Sequence, residues 1–231
     1  MRFIRKIFSF IFVIIFIICA VVAAGGWGKY KQATSQLPLE TAAKNIRAGE
    51  SFTPLDETSL TFVNAMVAVE DRRFYKHKGV DIIGITRAIV KNIKEKSLTE
   101  GGSCITQQLA KNIYFMNDNT LSRKIAEIFV AIDIEKNFSK KEILELYFNV
   151  IYFGSGYYNI GDASEGYFGK KPYDLTDYEA TLLAGLPNAP SVYSPNKNPD
   201  LAKKRQKKVV EAMVDMKYLS KEEANVLLAS E

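Results

Sequence analysis

A single histidine and two cysteines are all that 231 residues offer in the way of soft metal ligands. With His77 alone and no Cys-x-x-Cys pair, a multi-histidine or cysteine-rich zinc site is excluded. Cys19 lies inside an apolar run and Cys104 far beyond it, so a disulfide framework is excluded as well. Fourteen glycines and seven prolines are too few for a collagen-like or low-complexity chain. No Asn-Gly or Asp-Gly dipeptide occurs, nor any sustained two-residue alternation, which speaks against a hairpin-built sheet. The net charge is only +5, and Arg2, Arg5 and Lys6 stand ahead of the first apolar run. The remainder is too weakly basic for a nucleic-acid footprint, so no nucleic-acid partner is expected. What is present is a 47% hydrophobic composition, enough for a core in one domain with a small appendage.

From Ile7 to Ala24 there is no charge and one serine. As a helix this run covers roughly 27 Å, close to the hydrocarbon thickness of a bilayer. Trp27 and Tyr30 follow where interfacial aromatics belong, and the basic residues ahead of the run predict a cytoplasmic amino terminus with the rest exported. A cleaved signal peptide is the competing reading, with Val22 and Ala24 as the small residues of a cleavage site. The apolar run exceeds the ~7–15 residues of signal h-regions, which favours a retained anchor. A lipoprotein reading at Cys19 fails because Ile18 precedes it. The expected organisation is a cytoplasmic basic segment at 1–6, a transmembrane anchor at 7–28, a juxtamembrane linker at 29–50 running into an extended stretch, and one domain over 51–231.

Beyond the anchor the apolar period is helical. Leu60, Val63 and Val67 share a face, as do Ile82, Ile85, Ile89 and Ile93. Ser139 with Glu142, Thr176 with Glu179, and Ser220 with Glu223 form capping boxes that start helices, and Pro199 suits a first turn. The segments 152–161 and 186–199 read as loops. The fold class is therefore mainly α.

Three segments carry candidate chemistry. Glu70 continues the stripe of Leu60, Val63 and Val67, placing a carboxylate along an apolar face, where desolvation raises its pKa towards that of a general base. The alternative is a Glu at the stripe's edge that turns to solvent or pairs with Arg73. In Gly101-Gly102-Ser103-Cys104-Ile105-Thr106-Gln107-Gln108-Leu109-Ala110-Lys111-Asn112, two glycines free the backbone and Ser103 is a cap candidate. Gln108 and Lys111 share the polar side with Cys104. Free amides at a helix start, with a lysine two turns in, suit an anion; the alternative is a solvated polar face. Arg123 and Glu127 are i, i+4 neighbours, by default a surface ion pair. The functional reading has Arg123 and Lys124 bind phosphate oxygens while Glu127 orients a cation or a substrate hydroxyl.

Other features read as structural. His77 is expected to be a hydrogen-bonded structural residue, the aromatics from Tyr147 to Tyr158 core and loop packing, and the basic run Lys203–Lys208 a solvated helix face. Ser194-Pro-Asn-Lys197 matches Ser-x-x-Lys but lies between prolines with no Lys-Thr-Gly after it, so an acyl-transfer site is rejected.

Taken together these segments resemble a known family. Glu70-Asp71-Arg-Arg-Phe74-Tyr-Lys-His77-Lys-Gly79 resembles the first signature of the peptidoglycan glycosyltransferases (glycosyltransferase family 51). Gly102-Ser-Cys-Ile-Thr-Gln-Gln108-Leu-Ala-Lys111-Asn112 is similar to the second, and Arg123-Lys124-x-x-Glu127 to the third. Lys141-Glu-Ile-Leu-Glu145-Leu-Tyr147-Phe-Asn149 and Leu182-Leu-Ala-Gly-Leu-Pro187-Asn-Ala-Pro190-Ser191 resemble the fourth and fifth. The likeness runs over roughly residues 40–220 in the family's order. Cys104 stands where threonine is usual and Asn159 where glycine is common.

The resemblance implies a lysozyme-like, mainly helical fold of two lobes flanking a cleft that opens towards the membrane. It implies polymerisation of lipid II into β-1,4 glycan strands with inversion and release of undecaprenyl pyrophosphate. Glu70 would deprotonate the acceptor's 4-hydroxyl, while Lys111, Arg123 and Lys124 hold the donor's pyrophosphate. Glu127 would support that site, with a divalent cation (Mg or Mn) held through it as an open option. Ser103 and Gln108 would line the donor side and Asp71 the acceptor side.

The implied partners are lipid II, the growing lipid-linked chain, the membrane and other cell-wall synthesis proteins. The implied location is the bacterial cytoplasmic membrane, with the catalytic domain outside. Because the sequence stops at Glu231, a monofunctional enzyme without a transpeptidase domain is expected.

The chemistry of the leaving group agrees. A glycosidase must protonate an alkoxide and so needs a carboxylic acid beside a second carboxylate. A pyrophosphate leaves as a stable anion and needs positive charge instead. Two rivals remain at this stage, a lysozyme-like lytic enzyme and an inactive membrane-tethered scaffold.

Overall fold

The charge-free run is the middle of one long helix, α1 (Arg2–Gln36), in the computed structural model of the chain. The structure describes residues 2–95 and 101–229. Among these, Lys6–Gln36 is the one stretch long and apolar enough to cross a membrane. Helix α1 extends beyond the expected anchor at both ends, and α2 (Leu39–Arg47) follows almost at once. The expected linker at 29–50 is thus mostly helical, with residues 37–38 and 48–50 outside the helices. Nothing between Lys29 and Gln36 breaks a helix, and Pro38 stands just ahead of α2, where its missing N–H costs no intrahelical bond.

The remaining helices are α3 (Leu60–Glu70), α4 (Ile82–Glu95), α5 (Ile105–Tyr114) and α6 (Leu121–Asn137). They are followed by α7 (Lys140–Phe148), α8 (Ile160–Phe168), α9 (Asp177–Gly185) and the short α10 (Pro190–Tyr193). Helices α11 (Pro199–Asp215) and α12 (Lys221–Ala229) complete the chain. No strand occurs among the described residues. The capping boxes form as read: Ser139 Oγ accepts from Glu142 N–H while Glu142 Oε2 accepts from Ser139 N–H at 2.9 Å, and Thr176 with Glu179 and Ser220 with Glu223 do likewise.

The fold is lysozyme-like and two-lobed. One lobe packs α3 against α9 and α11, and the other packs α5 against α6 and α7. They share a core in which Phe62, Met66, Phe74, Tyr147, Phe148 and Phe153 are wholly buried. Phe62 meets Phe148 edge-on at 5.0 Å. Burying each such side chain contributes about 1.5–3 kcal/mol, so the shared core fixes the lobes against each other and the groove between them.

Helix α1 also packs on the second lobe. It lies along α6, with Trp27 edge-on to Phe129 at 5.1 Å, Tyr30 donating to Asp133, and Lys29 paired with Asp118 and donating to Thr120 Oγ1. Gly26 lets the backbones approach, since a Cβ there would stand 2.5 Å from Ile125 Cβ. Gly26→Leu is expected to force α1 away from α6 at a cost of about 1–3 kcal/mol. Faster tryptic cleavage after Lys29 and Lys31 would register that, and unchanged cleavage would mean the contact contributes nothing.

Helix α4 follows the expected Ile82–Ile93 period, but most of that stripe is not core. Ile82, Ile83, Ile89, Val90 and Ile93 are exposed.

Candidate active site

The groove between the lobes has a volume of about 960 Å³ and takes its walls from α3, α5, α6 and α11. Glu70 is the last residue of α3. Asp71 then leaves the helix at φ −154°, so two adjacent carboxylates diverge. The Glu70 side chain faces the groove, whereas Asp71 turns inward. Asp71 Oδ2 accepts from His77 Nε2 at 2.8 Å and from Ile105 N–H at 3.1 Å. Asp71 is therefore not on the acceptor side of the groove as expected. It is buried and ties the end of α3 to the start of α5, and His77 has the structural role read for it.

That tie sets Gln108 one turn into α5, where its Nε2 donates to Glu70 Oε2 at 2.8 Å. Tyr147 OH in turn donates to Gln108 Oε1 at 2.8 Å. Burial, with the charges of Glu70 and Asp71 nearby, pushes the Tyr147 hydroxyl well above its ordinary range. It stays a donor and so fixes which end of the Gln108 amide faces Glu70. Glu70 Oε1 is buried without a hydrogen-bond partner. Burial raises the Glu70 pKa; the Gln108 hydrogen bond and the Arg205 charge pull it down, and Asp71 pushes it up. Arg73, the alternative partner read from the sequence, pairs with Asp81 instead.

Across the groove, Glu127 on α6 is fully buried. Arg123 Nη1 donates to its Oε1 at 2.7 Å and Lys124 Nζ to its Oε2 at 2.8 Å. The expected surface pair is thus a buried carboxylate gripped by two groove-lining cations. Lys124 Nζ also donates to Ser103 Oγ at 2.6 Å. Ser103 is not a cap: Cys104 holds the N-cap position of α5 without a side-chain bond, while Thr120 caps α6. Arg123 Nε is buried and has no acceptor. Lys111 lines the same groove.

Glu127 is the expected cation ligand, and its surroundings do not fit a resident divalent ion. Both of its oxygens already accept from cationic side chains, and a metal there would sit beside Arg123 and Lys124.

Both departures from the family pattern are accommodated. Asn159 caps α8 by accepting from Asp162 N–H at 2.7 Å, with φ −152° that needs no glycine. Cys104 donates its thiol to Gly79 O at 3.2 Å, and burial pushes that thiol up to about 12, so it stays protonated.

Some groove residues were not singled out in the sequence. Tyr152 and Tyr158, read as packing, line the groove with ring centroids 4.6 Å apart. Arg205 and Lys208, read as a solvated face, line it too.

The profile of the family described as Transglycosylase matches residues 38–214, which include every groove residue named above. This chain belongs to the transglycosylase family. Similar proteins include a transglycosylase-named protein of Cupriavidus necator, 42% identical over 191 residues, which are 83% of this chain and 82% of that one. Penicillin-binding protein 1A of Neisseria gonorrhoeae is 44% identical over 78% of this chain and 23% of its own length. Penicillin-binding protein 1F of Bacillus subtilis is 47% identical over 69% and 22%. The chain thus spans less than a quarter of either penicillin-binding protein. Within the transglycosylase family frame, the first, second and third signatures meet at one groove, which Glu70, Lys111, Arg123 and Lys124 all line.

Proposed function

We propose that this chain is a peptidoglycan glycosyltransferase that polymerises lipid II. The observation that carries the reading is Glu70, its Oε1 buried and without a hydrogen-bond partner, lining one groove together with Lys111, Arg123 and Lys124. Glu70 Oε1 takes the proton of an acceptor sugar's 4-hydroxyl as that oxygen bonds to the donor's anomeric carbon. The anomeric carbon–phosphate oxygen bond breaks from the opposite side, giving a β-1,4 linkage, and undecaprenyl pyrophosphate leaves with the bonding pair. Lys111, Arg123 and Lys124 stabilise the departing charge, and Glu127 holds two of those cations at a fixed spacing. Glu70 then returns its proton to water. No step is routed through a divalent cation.

A lytic enzyme would need a carboxylic acid able to protonate an alkoxide and a second carboxylate free to act. Glu127, engaged by two cations, is not free. The purified chain is expected to convert lipid II to glycan strands on a gel. Release of muropeptides from isolated cell wall would support the lytic reading, and no turnover of either would support a scaffold.

We place α1 across the cytoplasmic membrane with the domain outside, and the exposed apolar residues of α4 against the bilayer surface. That arrangement sets the groove beside a substrate held in the bilayer by its lipid. Lys111→Ala is expected to raise the KM for lipid II roughly tenfold, the loss of a charge-assisted contact of about 1.5 kcal/mol. A solvated-face role would leave KM unchanged.

A further inference from the structure

One of the groove cations that the reaction above does not use stands beside the base. Arg205, on α11, brings Nη2 to 3.7 Å from Glu70 Oε1. We propose that Arg205 is a positioning residue for the base: it supplies the counter-charge that holds the Glu70 carboxylate at the groove while leaving the lone pairs of Oε1 free for an incoming hydroxyl. This inference rests on the reading of Glu70 as the base.

The separation carries the argument. At 3.7 Å the two charges attract, yet the gap is too long for a hydrogen bond. A forked arginine–carboxylate pair would occupy both oxygens and make the carboxylate a poor proton acceptor. Here Gln108 holds Oε2 and Arg205 stands off from Oε1, so the oxygen without a hydrogen bond has a counter-charge beside it and its lone pairs unoccupied.

Arg205 is itself fixed in place. Its Nε donates to Gly185 O at 3.3 Å, and its guanidinium carbon lies 6.0 Å from the centre of the Tyr193 ring. A Cβ at Gly185 would come within 3.0 Å of Arg205 Cγ, so the glycine of the fifth signature makes room for this arginine stem. The arginine thereby links the fifth signature to the carboxylate of the first.

Other charges near Glu70 are engaged or stand further along the groove. On α3 and just after it, Asp71 bonds to His77, and Arg72 pairs with Asp215 of α11 at 3.0 Å. Tyr147 of α7 acts through Gln108. Arg123 and Lys124 of α6 hold Glu127, and Lys111 of α5 lines the same groove. Arg87 and Lys91 line it from α4 and Lys208 and Glu211 from further along α11, while the α9–α10 connection contributes the neutral Pro187 and Asn188. Arg205 is the cation that the structure pairs with Glu70.

The test compares the wild-type full chain in detergent with Arg205→Gln, which keeps a polar donor near Gly185 O, and Arg205→Lys, which keeps the charge. Two readouts are taken: the pH profile of kcat/KM with lipid II, and the carboxyl titration of Glu70 by carbon-13 NMR, assigned with Glu70→Gln. An opposite charge at this range lowers a carboxyl pKa, so its loss must raise it. Arg205→Gln is expected to move both the acidic limb and the NMR midpoint up by roughly 1–2 pH units. Below the limb, that is about a tenfold loss of rate per unit. Arg205→Lys is expected to keep both near their wild-type positions.

A folded Arg205→Gln protein whose rate drops equally at every pH, with the Glu70 midpoint unmoved, would overturn the proposal. A fully active Glu70→Gln protein would overturn the base assignment instead. An NMR midpoint that still moved with Arg205→Gln would then uphold the charge coupling by itself.

Discussion

Glu70→Gln is expected to lower lipid II polymerisation by roughly 10²–10⁴-fold while leaving the protein folded. The amide is nearly isosteric and can still meet Gln108, so the substitution leaves the groove's shape and its cations in place and removes the proton acceptor. The effect should fall on kcat, because Lys111, Arg123 and Lys124 would still bind the donor. A gel of radiolabelled product from purified lipid II reads the loss, and a thermal melt checks the fold. Strand synthesis at the wild-type rate would mean that the hydroxyl proton leaves by another route. The wild-type profile should fall on the acid side at a pH above the usual carboxylate range, because burial raises the Glu70 pKa and the base works only when ionised.

Glu127→Ala should be the next most damaging change, lowering kcat by roughly 10²–10³-fold. The side chain is fully buried and accepts from both Arg123 and Lys124. Without it, two like charges on neighbouring residues of α6 repel each other and swing apart, and the spacing offered to a pyrophosphate is lost. Glu127→Gln separates shape from charge, since it can accept from one cation but not balance two. It is expected to fall between alanine and wild type when kcat is measured at saturating lipid II. Equal activity in all three proteins would show that the cations need no carboxylate to hold them.

Much of this was legible in the sequence because it was local. Helical spacing put Glu70 in line with Leu60, Val63 and Val67, and the capping boxes at Ser139, Thr176 and Ser220 formed as read. What the sequence did not show depends on how distant segments meet. Adjacent carboxylates look alike on paper, but the end of α3 sends Glu70 into the groove and Asp71 into the interior. The spacing of Arg123 and Glu127 is that of any exposed helical pair, and the burial of Glu127 is a tertiary fact. Arg205 sits in a lysine-rich run far along the chain, and only the packing of α11 on α3 brings it to Glu70. Tyr152 and Tyr158 follow the fourth signature in a loop whose course no periodicity describes. The expected linker was misread for a simpler reason: residues 29–36 are polar, but nothing in them stops a helix.

If α1 spans the bilayer as proposed, its seating along α6 changes how the molecule would meet a lipid-held substrate. A tether of slack chain would let the groove wander through a volume above the lipid surface. A rod keyed into the domain at Gly26 and bolted by Lys29 and Tyr30 holds the groove at one height and one tilt. On the proposed reading, encounters would then become a planar search by lateral diffusion, and a strand growing from such a platform would emerge in a constant direction relative to the sheet of lipid beneath it.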